Sequence, residues 1–413
     1  MVPLSSRSFA NGNADGRSDP PSNDMRLRHG RKSLWIAAAA LSQIGPATPV
    51  VTQMTDIAAL LAASRQRPDG PRRLFLSGHS LTDHPFPEYL ERLAASIDRP
   101  LLWDMQQLAG SSIKDRTMGK GAGRWTGYAA GTNRNDQPID VLSELQRAGS
   151  YGNQPYDTLI ITEQHSLLDA VVRNDMIRYL RDFHDRMVEQ NPQAQTYVFE
   201  AWMTVADMDN PASWIAYERS AAPIWRCVAD RVNHDLAASG RADRLMTIPA
   251  GSALAALVEQ ALSPMSVPGL KGHDARATMA TLFRDDVHLT ETGTYFIALM
   301  TSAIMNGRAI HTPERPFGMR EDTAQRLQQM AWNFTTDLAG PYRPMSSDAC
   351  LSYLSDDFAP AYLAYQRDLQ WRRNPDAKIW LRWIKLRFSW PGLFRRRDAS
   401  NPFHTDEPVV PIL

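Results

Sequence analysis

The chain alternates short, nearly continuous apolar runs with longer segments in which apolar residues recur at helical spacing. Short continuous runs of this kind are typical of strands that are covered by helices on both faces. Five strands are predicted: Arg73–Gly78, Pro100–Met105, Tyr156–Glu163, Thr196–Trp202 and Arg244–Pro249.

The longer segments show the 3.6-residue period of amphipathic helices. They are Phe86–Ile97, Ile139–Arg147, Leu167–Glu189, Ala212–Ala238, Ser252–Leu262 and Glu291–Met305. Strands that alternate with helices predict a three-layer αβα sandwich with a parallel, flavodoxin-like sheet of about five strands. This domain is expected over residues 73–306. Sites in such sheets form beyond the carboxyl ends of the strands, so the chemistry is expected there.

Residues 313–413 follow a different pattern and predict a helical C-terminal extension. Helical spacing is present in Glu321–Leu338 and Phe358–Trp371. The prolines Pro344, Pro360, Pro375 and Pro391 are expected to break these helices.

Composition limits the classes of function. The 413 residues are 43% hydrophobic and 22% charged, as in an ordinary globular protein. Basic and acidic residues are equal in number, so no general positive field indicates a nucleic-acid partner. No apolar run approaches the roughly 18 residues that a membrane-spanning helix needs.

Residues 1–72 are predicted to be a disordered or signal-like N-terminal segment and a linker. From Met25 a basic stretch precedes the apolar run Leu34–Leu41, and the small residues Gly45 and Ala47 follow. This order is typical of a secretory signal and favours a periplasmic or secreted protein. A weakly helical segment in a cytoplasmic protein is the alternative.

The two cysteines, Cys227 and Cys350, lie far apart and have no metal-ligand spacing. No metal site is predicted from them. They could form a bridge, but two buried thiols are the favoured interpretation.

Ser80 follows the first predicted strand, in Gly78-His-Ser-Leu81, and is expected at the start of a helix. Taken alone, it is best interpreted as a helix cap. Asp285 and His288 stand three residues apart in a loop before the last helix of the domain. A serine becomes a nucleophile when a histidine takes its proton, and a carboxylate can orient that histidine. The three residues together predict a catalytic triad.

These two segments resemble the first and last sequence blocks of the SGNH (GDSL-like) serine hydrolases, over residues 73–306. The resemblance implies an oxyanion hole with a glycine, which Gly110 matches. Where the family usually has an asparagine, this chain has Thr162-Glu-Gln-His165, as in a bacterial branch of the superfamily, so Gln164 is the expected side-chain donor. His79 stands where Asp or Asn is usual and is expected to be structural.

Four further residues are candidates for substrate binding. Trp125 and Tyr128 lie in the glycine-rich loop Thr117–Gln137, which is either a lid that stacks on a sugar or an ordinary surface loop. Glu200 and Trp202 end the fourth predicted strand, where they either line the cleft or pack inside the domain.

The segment 367–398 carries ten Arg or Lys residues against three Asp residues, together with four of the eleven tryptophans. Its basic and aromatic positions recur at helical spacing. Such a helix either lies on an anionic membrane surface or an acidic polysaccharide, or docks its aromatic face onto the catalytic domain.

The sequence therefore predicts a serine esterase that needs no metal or organic cofactor. The family resemblance implies a small acyl group, often acetyl on a carbohydrate. One alternative is a polysaccharide O-acetyltransferase with the same triad. The other is a catalytically silent SGNH-like binding protein, because the Gln164 block departs from the family pattern.

Overall fold

The structure, a computed structural model, describes residues 70–119, 125–147, 154–338 and 345–405. The signal-like segment that begins at Met25 lies outside these residues, and so does the middle of the glycine-rich loop.

The centre of the molecule is a parallel sheet of five strands. The strands are β1 (Arg72–Gly78), β2 (Leu101–Gln107), β3 (Thr158–Thr162), β4 (Gln195–Phe199) and β5 (Leu245–Ile248). Their spatial order is β2-β1-β3-β4-β5, which is the flavodoxin-like order, and the predicted fold class is confirmed. All five residues of β3 are buried, so both faces of the sheet are covered.

Helices connect the strands and follow the last one. They are α1 (Phe86–Ala95), α2 (Ile113–Arg116), α3 (Val141–Gln146), α4 (Leu167–Arg173), α5 (Met176–Gln190), α6 (Ala212–Ala238), α7 (Ala250–Leu262), α8 (Ala275–Met279) and α9 (Glu291–Asn306). A short 3₁₀ turn covers Thr126–Ala129. None of the helices that the structure describes combines the length and the apolar character needed to cross a bilayer.

The prediction of one helix over Leu167–Glu189 is wrong, because two helices, α4 and α5, occupy this segment. Asp175, which precedes α5, has φ of +49°. A left-handed residue cannot continue the hydrogen-bond ladder of a right-handed helix, so the chain changes direction there.

The C-terminal extension forms α10 (Glu321–Leu338), α11 (Ser347–Tyr353), α12 (Ala359–Arg373) and α13 (Ala377–Phe394), with a π-helical turn at Leu354–Phe358 between α11 and α12. Phe358, Tyr362 and Phe394 are fully buried in the same hydrophobic core as the sheet. The extension is therefore part of the folded body.

Two of the prolines do not break helices as predicted. Pro360 directly follows the π-helical turn inside a helical run that is continuous from Ser347 to Arg373, and the wider turn accommodates its missing N–H. Pro391 lies within α13 and is buried, so tertiary packing holds the last turn of this helix in place.

A disulfide joins Cys227 on α6 to Cys350 on α11. The favoured interpretation of two separate thiols is wrong. Helix α11 packs against α6 and brings the two Cα atoms to 6.1 Å, within the range that a disulfide spans. The bond ties the C-terminal extension to the α/β domain.

Candidate active site

Ser80 lies in a tight turn beyond the carboxyl end of β1. A Cβ on Gly78, the last residue of β1, would lie 1.9 Å from Thr82 Oγ1, so only glycine fits there. Helix α1 begins at Phe86, so the expectation that Ser80 starts a helix is wrong. Pro85 disfavours helical backbone at the residue before it, and this delays the start of α1.

The structure brings Ser80, His288 and Asp285 into one hydrogen-bonded chain. His288 Nε2 lies 3.0 Å from Ser80 Oγ, and His288 Nδ1 lies 2.8 Å from Asp285 Oδ2. An ionised carboxylate can only accept hydrogen bonds, so Nδ1 donates to Asp285. In the neutral ring with its proton on Nδ1, Nε2 can accept the hydroxyl proton of Ser80.

The loop that holds Asp285 is built to keep its carboxylate charged. Burial disfavours the charge, but the backbone N–H groups of His288 and Val287 donate to Oδ1 at 2.6 and 2.8 Å. Together with the His288 ring, they hold the pKa of Asp285 below its usual range. The carboxylate can therefore orient the imidazole and stabilise its cationic form.

The segment after β4 anchors this loop. Trp202 donates its indole N–H to the carbonyl of Val287 at 2.7 Å, and Val205 donates its backbone N–H to the carbonyl of Asp286 at 2.7 Å. Trp202 is 1% exposed. The interpretation of Trp202 as a cleft-lining residue is therefore wrong, since its ring is enclosed and its one polar atom is used to position the triad loop.

Glu200 is also 1% exposed and does not face an open cleft. Its Oε2 accepts a hydrogen bond from Ser252 Oγ at 3.0 Å. Burial raises the pKa of Glu200 to about 7, although Arg226 and Ser252 favour its charged form. The prediction that Glu200 binds substrate is wrong, because its carboxylate is buried against α7.

Gly110 and Gln164 follow β2 and β3, the two strands that flank β1. Gly110 has φ of +65° in an exposed turn, and no atom lies within 4 Å of the position that a Cβ would take. Within the described chain, the backbone N–H groups of Ser80 and Gly110 and the side-chain amide of half-buried Gln164 donate no hydrogen bond. Three donors at neighbouring strand ends thus stay available for a ligand.

Glu163, which the sequence analysis missed, connects the three loops around Ser80. Its fully buried carboxylate accepts the backbone N–H of Gln164 at 2.7 Å and that of Ile113 at 3.2 Å. Its carbonyl accepts a hydrogen bond from Nε2 of His79, the neighbour of Ser80, at 3.0 Å. The sequence signal was a carboxylate directly after an apolar strand.

Two ionisable side chains near Glu163, those of Arg116 and His79, are buried as well. Burial raises the pKa of Glu163 to about 7, against the attraction of the fully buried Arg116. Burial lowers the pKa of His79 to about 3, so this ring is neutral and its hydrogen bond to Glu163 is a structural one. The surroundings of His79 agree with its expected structural role.

The aromatic residues of the glycine-rich loop pack inward. Tyr128 is 1% exposed, and its hydroxyl donates to Asp182 Oδ2 at 2.6 Å. Trp125 is half-buried, with ring centroids 6.2 Å from Tyr128 and 6.0 Å from Tyr179. The expectation that Tyr128 stacks on a sugar is wrong, because its ring and hydroxyl are both used in packing against α5.

The C-terminal extension borders the site, which the sequence did not predict. Arg373, the last residue of α12, forms an ion pair with Asp286 at 2.7 Å. Tyr365 of α12 donates its hydroxyl to the carbonyl of Thr204 at 2.7 Å. Burial, and then the charges of Arg373 and His288, lower the pKa of the half-buried His165.

A cavity of about 400 Å³ lies between α12 and the loop that follows β4. Its polar and aromatic lining includes Asp207, Asn210, Asp368 and Trp371, and Trp371 is 40% exposed. The loop that lines it also contains Val205, which is bonded to Asp286. The cavity is therefore a neighbour of the triad loop.

Comparison with known proteins adds little to this site. No protein-family model matches the sequence, and no curated protein matches it. The chain is similar in structure to a DUF4886 family protein from Bacteroides uniformis, with 14% sequence identity. The likeness covers 64% of this chain and 94% of that chain, with a TM-score of 0.43. At this TM-score it carries no argument about function.

Proposed function

We propose that this protein is a serine esterase of the SGNH type that hydrolyses a small acyl ester, with Ser80 as nucleophile. The observation that carries the proposal is the unbroken chain of hydrogen bonds from Ser80 through His288 to Asp285. This arrangement supplies the base and the orienting carboxylate that a serine needs to attack a carbonyl.

In the first half-reaction, Ser80 Oγ forms a bond to the carbonyl carbon of the ester while His288 Nε2 takes the hydroxyl proton. The carbonyl oxygen becomes an oxyanion, which the N–H groups of Ser80 and Gly110 and the Gln164 amide stabilise. When the carbon–oxygen bond to the alcohol breaks, His288 returns the proton to the leaving oxygen. The products are the free alcohol and acyl-Ser80.

In the second half-reaction, water attacks the acyl carbon and gives a proton to His288. The bond to Ser80 Oγ then breaks, His288 protonates the serine oxygen, and the carboxylic acid leaves. Asp285 stays ionised throughout, because two backbone N–H groups and the His288 ring donate hydrogen bonds to its carboxylate.

Hydrolysis is favoured over acyl transfer by the exposure of the site. The side chains of His288 and Asp285 are 29% and 48% exposed, so water reaches the base directly. An O-acetyltransferase with the same triad must keep water away from its acyl-enzyme.

A carbohydrate ester is the substrate class that we propose. The cavity beside the triad loop combines an exposed indole, Trp371, with the carboxylate of Asp368, the amide of Asn210 and the ion pair between Asp207 and Arg372. Aromatic faces contact the apolar faces of sugar rings, and carboxylate and amide groups bind sugar hydroxyls. This cavity replaces Trp125 and Tyr128 as the proposed sugar-contacting surface.

We also propose that the protein acts in the periplasm or outside the cell. The Cys227–Cys350 disulfide supports this, because such bonds persist in oxidising compartments and are rare in the cytosol.

Hydrolysis of p-nitrophenyl acetate tests the activity. Ser80→Ala should lower kcat/KM by roughly 10³-fold or more without loss of folding. Asp286→Asn is the matched control for Asp285→Asn, since its carboxylate pairs with exposed Arg373 and not with His288. We expect a large loss for Asp285→Asn and less than about a three-fold change for Asp286→Asn. Equal rates for wild type and Ser80→Ala above the uncatalysed rate would contradict Ser80 as the nucleophile, and rates equal to the uncatalysed one would show that the fold serves binding without turnover.

A further inference from the structure

Helix α13 has two apolar faces. On one face, Trp383, Trp390 and Phe394 pack inward, and Trp390 lies with its ring centroid 5.9 Å from that of Tyr362. The sequence analysis gave two alternatives for this helix, and one of them was an aromatic face that packs on the domain. This face matches that alternative. The opposite face carries Leu381, Ile384 and Phe388, which follow the helical spacing of three and then four residues.

The second face is open to solvent. Leu381 is 67% exposed, Ile384 46% and Phe388 77%. Seven large apolar side chains are exposed in the described part of the chain, and five of them lie between Trp371 and Phe388. Such a concentration marks an interaction surface, whereas single exposed apolar residues are ordinary.

The charged residues within α13 and the three residues after it are all basic. From Ala377 to Arg397 there are seven Arg or Lys residues and no Asp or Glu. Arg382 and Arg395 form ion pairs with Asp169 and Asp356, at 3.8 and 2.6 Å. Lys378 and Lys385 are exposed and form no ion pair with the described part of the chain. At helical spacing they lie beside Leu381.

We infer that α13 binds the surface of an anionic lipid bilayer. Leu381, Ile384 and Phe388 enter the boundary between headgroups and acyl chains, and Lys378 and Lys385 contact the anionic headgroups. Trp380, which is 40% exposed, lies beside this face at the depth that indole rings prefer. An acidic polysaccharide would bind the charges but leave the three apolar side chains in water, so the lipid surface is the better partner.

This inference does not rest on the proposed hydrolase activity. Because α13 begins four residues after Arg373, which is paired with Asp286, a bilayer bound at α13 would lie near the triad loop.

Sedimentation of the full chain with vesicles tests the inference. Vesicles of about one part phosphatidylglycerol to two parts phosphatidylcholine should bind it at about 50 mM salt and much less at about 500 mM. Pure phosphatidylcholine should bind it weakly. Ser80→Ala should sediment like the wild type, which separates this test from the test of the esterase.

Point variants on the exposed face keep the core intact. Leu381→Ser/Ile384→Ser/Phe388→Ser should weaken vesicle binding by about 100-fold or more, because three apolar side chains no longer leave water. Lys378→Gln/Lys385→Gln should weaken it by about 25-fold, at about five-fold for each charge. Phe317→Ser and Lys271→Gln, which alter exposed residues far from α13 in sequence, are the matched controls and should bind like the wild type.

Four results would overturn the inference. The first is no binding to anionic vesicles in low salt, and the second is equal binding by the apolar variant and the wild type. The third is binding to an acidic polysaccharide but not to vesicles, which would assign the face to a polysaccharide. The fourth is a concentration-dependent dimer that the apolar variant abolishes and that does not bind vesicles, which would assign the face to a second copy of the chain.

Discussion

The indole N–H of Trp202 donates to the carbonyl of Val287 at 2.7 Å, and so ties the loop that carries Asp285 and His288 to the end of β4. Because Trp202 is 1% exposed, this bond is shielded from water. The position of His288 relative to Ser80 therefore depends on a residue whose one side-chain hydrogen bond, among the described residues, goes to Val287.

Trp202→Phe should lower kcat about ten-fold and the free energy of unfolding by about 1–2 kcal/mol, since it leaves the Val287 carbonyl without its donor. Trp214→Phe is the matched control, because Trp214 is also buried and donates to the carbonyl of Met203 at 2.7 Å. Trp214→Phe should lower the free energy of unfolding by a similar amount and change kcat little. Equal losses of kcat in the two variants would contradict a positioning role for Trp202.

Gln164→Ala should lower kcat by about 10²–10³-fold and change KM little, since a side-chain oxyanion donor acts in the transition state. Gln164→Glu has nearly the same size and lacks the donor, so it should lose as much activity. Steady-state kinetics on p-nitrophenyl acetate measure both variants. An unchanged kcat would mean that the oxyanion hole has backbone donors alone.

Glu200 makes the stability of the protein depend on pH. Burial raises its pKa from an ordinary value of 4.5 to about 7, and its Oε1 has no hydrogen-bond partner within the described chain. The folded protein therefore binds this proton more tightly than the unfolded chain does. The stabilisation is complete below pH 4.5 and is lost as pH rises through about 7.

Glu200→Gln should remove this part of the pH dependence. From about pH 5 to pH 8 the free energy of unfolding should fall in both proteins. The fall should be smaller in the variant than in the wild type, by up to about 3 kcal/mol. Urea unfolding at several pH values measures the difference. Glu259→Gln alters an exposed carboxylate paired with Arg219 and should follow the wild type. Parallel curves for Glu200→Gln and the wild type would show that Glu200 stays charged in the folded state.

The Cys227–Cys350 disulfide closes a loop of 123 residues. Its reduction should lower the free energy of unfolding by about 3–5 kcal/mol, because the unfolded chain regains the entropy of this loop. Denaturant unfolding with and without dithiothreitol measures the loss. The double variant Cys227→Ala/Cys350→Ala should have the same free energy of unfolding with and without dithiothreitol. A wild type whose free energy of unfolding is also unchanged by dithiothreitol would contradict the bond.

Much of the fold could be predicted because its signals are local. Continuous apolar runs gave the positions of all five strands within a few residues. Ser80 and the Asp285–His288 pair could be found because each lies in a short motif after or before a regular element. Ser80 lies at the carboxyl edge of the sheet, and hydrogen bonds from Trp202 and Val205 tie the Asp285–His288 loop to the segment after β4 at the same edge.

The rest depends on contacts between distant segments. Glu163 bonds to the N–H of Ile113, 50 residues earlier, and nothing near either residue indicates the other. The burial of Tyr128 and Trp202 was equally hidden, because an aromatic residue in a loop or after a strand has the same local pattern in a cleft and in a core. The Cys227–Cys350 bond depends on the packing of α11 on α6.

Reaction with a fluorophosphonate probe, followed by mass mapping of the labelled peptide, tests the central claim most directly. The account predicts one phosphonylated residue, Ser80, with labelling abolished in Ser80→Ala and strongly slowed in His288→Ala. Ser77, which is buried and bonded to Gln106 at 3.0 Å, serves as the internal control and should stay unmodified. A folded protein that takes no label, or takes it at another serine, would contradict the assignment of Ser80 as the nucleophile.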